Sequence, residues 1–166
     1  MNIIDTFATQ VTERIEPVVK VADRHPSRLR YELSNLIVTP QWEQHLRRMF
    51  DAWAEAADGR SGVDPGIWIS GFFGSGKSLL MKVLGIILEG NELDGQHVDD
   101  IFLSRLPEHS PDRGEIKRLL TAIRRKTATT AVGGNIHALQ GSSNESLALI
   151  AFKLFAAEQG YTHNWA

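Results

Sequence analysis

The run Gly71-Phe72-Phe73-Gly74-Ser75-Gly76-Lys77-Ser78 is the part of this chain whose residue types and spacing most plainly suit a chemistry. It meets G-x-x-x-x-G-K-[ST] at every fixed position, a pattern suited to gripping phosphate. Gly71, Gly74 and Gly76 can take backbone conformations closed to larger residues, so successive amides can curl around a β-phosphate with no side chain in the way. Lys77 is expected to reach the β- and γ-phosphates and is the candidate catalytic residue; Ser78 offers a hydroxyl oxygen to Mg²⁺ and is the candidate metal ligand. The whole run with Leu79 is the expected binding site, Phe72 and Phe73 filling variable positions and packing under the loop. The cofactors this implies are ATP and Mg²⁺. Chance would produce such a match in a chain of this length in roughly one case in a hundred.

A phosphate loop needs a strand before it and a helix after it. Ile67-Trp68-Ile69-Ser70 is a short run of β-formers bounded by glycine, which predicts a buried strand. From Lys77 to Glu89 the chain is apolar on nearly every face and stops at Gly90-Asn91, which predicts a buried helix opened by the loop. Its N-terminus would add unpaired amides and a favourable dipole to the anion site. A second apolar strand ending in an acid, the usual Mg²⁺ partner in hydrolytic proteins of this type, is missing. Asp99-Asp100 lacks the apolar run before it, and Leu147–Phe152 leads into Lys153.

The flanking sequence reads as mainly helical. Ile3, Ile4, Phe7, Val11 and Ile15 suggest a helix over 3–16, and Val18–Val21 a short strand. Pro26 opens a helix with Leu29, Leu33 and Leu36 on its apolar stripe and Arg28, Arg30 and Glu32 on the other side. Thr39 is the expected N-cap of a third helix, with Pro40 at its first position and Trp42, Leu46, Met49, Phe50 and Trp53 on one core-facing stripe. The turn-rich segment 58–66 marks a boundary between an N-terminal helical region, 1–62, and a partial nucleotide-binding domain, 63–166. Further on come a basic amphipathic helix over 112–126, a strand near 127–132 with a glycine-marked irregularity, and a last helix along Leu149, Phe152 and Phe155.

Composition narrows the function classes. The 166 residues carry a formal net charge of −2, so nothing global draws the chain to nucleic acid or anionic lipid. With no cysteine, disulfides, thiolate metal sites and cysteine nucleophiles are excluded, and the cytoplasm is the expected compartment. No stretch approaches the roughly 18 apolar residues of a membrane span. The six histidines lack metal-ligand spacing, and Arg113, Lys117, Arg118, Arg124, Arg125 and Lys126 read as a solvated helix face.

The segment from Ile67 to Ser78 resembles the W-[IV]-S-G-F-F-G-S-G-K-S signature of the large BrxC/PglY-type ATPases of bacteriophage-exclusion (BREX) defence. Val18–Val21, Tyr31-Glu32-Leu33, Val38-Thr39-Pro40 and the stretch from Phe155 to Tyr161 are loosely similar to other parts of that family. The resemblance implies an α/β fold with an incomplete three-layer P-loop NTPase-like core behind an N-terminal helical subdomain. It further implies an ATP-binding module from the N-terminal part of a much longer ATPase of anti-phage defence, with hydrolysis belonging to the intact parent. Other defence proteins, self-association and DNA contacted through the parent complex are the implied partners. The alternative is a non-catalytic, nucleotide-dependent scaffold.

Overall fold

A computed structural model of the chain describes residues 19–136 and 145–161. The helix expected over 3–16 lies outside these residues. Among the described residues six helices have defined bounds: α1 (Pro26–Ser34), α2 (Pro40–Ala57), α3 (Lys77–Glu89), α4 (Val98–Ser104), α5 (Arg113–Lys126) and α6 (Leu147–Glu158). Two strands of two residues each, β1 (Glu92–Leu93) and β2 (Gln96–His97), form an antiparallel hairpin between α3 and α4. That hairpin is the whole sheet among the described residues.

The three-layer α/β core is therefore not what this chain forms. A P-loop core rests on a parallel sheet, and here the described residues contain no parallel pair. Ile67–Ser70 and Thr127–Val132, both expected as strands, run without a ladder partner. A β-former pattern states what a strand would bury; the strand exists only when another backbone takes its hydrogen bonds. Val21 sits in a turn rather than a strand. The hairpin that does form is set by Asp94-Gly95, both at positive φ, the usual pair for a two-residue turn.

Helix boundaries follow local chemistry. Thr39 caps α2, its hydroxyl accepting from the Trp42 amide at 3.3 Å, with Pro40 at the first position. Ser146 caps α6 in the same way. In α6 the buried positions are Ile150 and Ala156, while Leu149, Phe152 and Phe155 are about half exposed, so the expected stripe is not its most buried side.

One core joins α1 to α5. Leu29 and Leu33 of α1 meet Leu46 and Phe50 of α2, Val83 and Ile87 of α3, Phe102 of α4, and Ile116 and Leu120 of α5. Phe50 lies edge-on to both Trp53 and Phe102, at ring-centroid distances of 5.8 and 6.3 Å. The most extensive helix pairing is α2 with α5. Glu43 secures it, for its buried carboxylate accepts from the Ser110 hydroxyl and from the Asp112 amide, just ahead of α5.

A second buried charge sits deeper. Lys82, the lone charge between Ser78 and Glu89, is buried in α3 and meets Glu32 of α1 at 2.6 Å. Glu32, expected on the solvent side of its helix, is buried with it. The contact is an ion pair without hydrogen-bond alignment, since neither Glu32 Oε2 nor Lys82 Nζ has a hydrogen-bonded partner. Removing one member leaves an uncompensated charge in the core, which costs about 3–5 kcal/mol, whereas replacing both by apolar residues of similar volume is neutral or stabilising. We expect Lys82→Ala and Glu32→Ala each to lower the urea midpoint strongly, and the Glu32→Leu/Lys82→Met pair to restore it. Additive losses in the double variant would mean that the two charges are not coupled.

Candidate functional site

The expected site residues lie together at the N-terminus of α3 and in the loop leading to it. The approach is held by local bonds: Trp53 Nε1 donates to the Pro65 carbonyl at 3.0 Å, and the Gly66 amide donates to Asp64 Oδ1 at 2.8 Å. The loop is closed by Ser75 N–H donating to the Phe72 carbonyl at 3.2 Å.

Two of the three glycines are required by conformation. Gly74 and Gly76 have φ of 80° and 81°, in the left-handed region where a side chain is strained. Gly76 is also the N-cap of α3, which carries no side-chain cap. Gly71 is glycine for a different reason: a Cβ there would come within 2.9 Å of the Ser75 hydroxyl. The first intrahelical bond of α3 runs from Leu80 N–H to the Gly76 carbonyl, so the amides of Lys77, Ser78 and Leu79 face outward without helical acceptors.

Lys77 folds back over its own loop. Its ammonium donates to the Gly71 and Phe72 carbonyls at 2.8 and 2.6 Å and to the Ser75 hydroxyl at 3.3 Å. A cation at the first position of a helix is opposed by the helix dipole, and the first turn of α3 contains no acid to offset it. The loop end of α3 is thus a concentrated positive region. Ser78 is exposed, and Leu79 half-buried against the core, so Leu79 can contribute only its backbone N–H. Phe72 and Phe73 do not pack under the loop: they are 92% and 98% exposed.

These residues fit a phosphate group better than they fit a resident metal. Bare amides and Lys77 supply donors for anionic oxygens, whereas Ser78 alone supplies a metal donor. Among the described residues no three His, Asp or Glu side chains gather around a point. Asp99 and Asp100 begin α4, where Asp99 pairs with Arg124 and Asp100 lies 3.9 Å from Lys117.

The basic residues of α5 are mostly spent on the fold. Arg124 donates to the Ile87 carbonyl at 2.8 Å and to Asp99, closing the C-terminus of α3, where a cation is favoured. Arg113 donates to the Leu106 and Pro107 carbonyls, Lys126 pairs with Asp58, and Arg118 with Glu115. Solvation plus these pairings accounts for the face. Glu115 is held below the usual carboxylate range, chiefly by its hydrogen bond from Arg118.

Both comparisons that bear on identity are negative: no protein-family model matches the sequence, and no solved structure matches the chain. With a helical fold carrying one small antiparallel hairpin in place of a parallel sheet, the resemblance to BrxC/PglY-type ATPases is overturned. The P-loop ATPase assignment and the phage-defence role fall with it. The likeness was strong over Ile67–Ser78 and loose elsewhere in the chain, and the strand in that signature has no ladder partner among the described residues. Among the described residues no helix is long and apolar enough to cross a membrane.

Two measurements follow. Gly76→Ala forces a side chain into the left-handed region and should lower stability by roughly 1–2 kcal/mol in a thermal melt, with Gly71→Ala less costly because the Ser75 hydroxyl can rotate away. Because the folded-state pKa of Glu115 is depressed, its contribution is present above the ordinary glutamate range and is lost as pH falls through the lowered value. The melting difference between wild type and Glu115→Gln should accordingly vanish on acidification; a difference that grew instead would reverse the sign.

Proposed function

We propose that this chain is a helical module that binds a phosphate-bearing anion in the loop 71–79, ahead of and within the first turn of α3. One observation carries the reading: two left-handed glycines, three outward amides and Lys77 lie together at a helix N-terminus that has neither a side-chain cap nor an acid in its first turn. Such a terminus is short of negative charge, and a phosphate oxygen supplies it with hydrogen-bond acceptors at the same time.

Lys77 would turn from the Ser75 hydroxyl, its longest contact, toward the ligand while keeping the Gly71 and Phe72 carbonyls. The minimal ligand is inorganic triphosphate, and ATP with Mg²⁺ is the larger one. Mg²⁺ bound to phosphate oxygens could add the Ser78 hydroxyl to its shell. The role proposed for Lys77 is binding, its ammonium supplying charge-assisted hydrogen bonds to the anion.

Titration calorimetry with triphosphate and with ATP, each with and without Mg²⁺, tests this. We expect binding that weakens with ionic strength and falls roughly 10- to 100-fold in Lys77→Ala, the loss of charge-assisted hydrogen bonds. Unchanged affinity in Lys77→Ala would remove the loop from consideration. Comparable affinities for triphosphate and ATP would assign the recognition to phosphate; a marked preference for ATP would require a base contact outside the loop.

A further inference from the structure

Immediately before the phosphate loop, Ile67–Ser70 has the properties of a sheet edge with no sheet beside it. No backbone N–H or C=O of these four residues hydrogen-bonds to another described residue. The side chains nevertheless alternate: Ile69 packs against the core and Ile67 is 38% exposed, whereas Trp68 is 92% exposed. Two open apolar grooves, of about 300 and 450 Å³, meet at Ile67 and Ile69, between this segment and the faces of α2 and α3.

We propose that this edge is a homodimer interface, in which Ile67–Ser70 pairs antiparallel with the same segment of a second copy about a two-fold axis through Trp68. The alternation limits the register. Directly opposed residues of an antiparallel pair share a face, so only registers that set inward side chains opposite inward ones are allowed, and of these the proposal takes the one centred on Trp68, in which the exposed indole meets its own copy and Ile67 opposes Ile69. A pairing shifted by one residue would set inward side chains against outward ones.

Two further observations point to a second copy as the occupant. From Gly66 to Phe73 there is no charged residue and no proline, so the edge lacks the features that ordinarily block self-pairing, and like charges do not meet when it pairs with itself. The exposed apolar surface is also of the right size. An aromatic side chain buries roughly 150–250 Å², so Trp68, Phe72 and Phe73 together with Ile67 and Met81 offer on the order of 600–800 Å² per protomer, close to the ~800 Å² per partner of a standard interface. An isologous interface of this kind closes at two subunits.

Sedimentation equilibrium of the whole chain tests the interface. The wild type should be a dimer at micromolar concentration. Trp68→Asp and Trp68→Lys place like charges face to face across the axis, and each should raise the dissociation constant at least about tenfold. Trp68 is exposed, so both variants should keep the wild-type far-ultraviolet circular dichroism. An equimolar mixture of the two variants should recover the dimer, because opposite charges then meet at the axis. A monomeric wild type, an open-ended assembly, a dimer indifferent to both substitutions, or a mixture that stays monomeric would each overturn the proposal. Phosphate binding by the loop is tested separately, by calorimetry.

Discussion

Lys82 of α3 and Glu32 of α1 are the buried charges that must stay together in this core, and most of what is distinctive in the structure is carried by α3. A buried ammonium cannot be left alone in an apolar interior, so the helix that bears it must present that face to the one helix able to answer it. Glu32 does so from α1, and the apolar residues around Lys82 then fall into place: Val83, Ile86 and Ile87 reach the shared core.

The two ends of α3 are treated differently. At the C-terminus, Gly90 turns the chain and Arg124 fills the space beside it, donating to the Ile87 carbonyl. Nearby, Glu89 takes the Arg24 guanidinium through both oxygens and also the Ala131 amide. The negative end of the helix is thus flanked by cations and closed. At the N-terminus there is no cap, no acid and one lysine, so the positive end stays open. The same dipole is thus neutralised at one end of α3 and left open at the other, and the open end is where the proposed anion would sit.

The segment before the loop shows why a short motif and its flanks can mislead about architecture. Ile67–Ser70 has the composition and alternation of a strand, but ladder bonds come from another backbone, and none is beside it among the described residues. Meanwhile the turn at Asp94-Gly95 makes the one sheet among the described residues, steadied by Arg30 from α1 at 2.5 Å from Asp94 and 2.8 Å from the Leu93 carbonyl. The α/β expectation came with the resemblance at the loop; among the described residues the loop is the entrance to a helix in a helical core.

What the sequence determined was local. Thr39 and Pro40 start α2, Gly76 and Gly90 bound α3, Asp112 precedes α5, and the glycine-lysine spacing of 71–78 brings its own curvature and charge, because each depends on residues within a few positions of one another. The tertiary structure alone decided which charges are buried. Lys82 and Glu32 are 50 residues apart in the chain and Glu43 and Ser110 are separated by 67, and nothing in the period of either helix names a partner at that distance. It also decided that Trp68, Phe72 and Phe73 stay at the surface, since burial is a property of what arrives from elsewhere, and no described element arrives there.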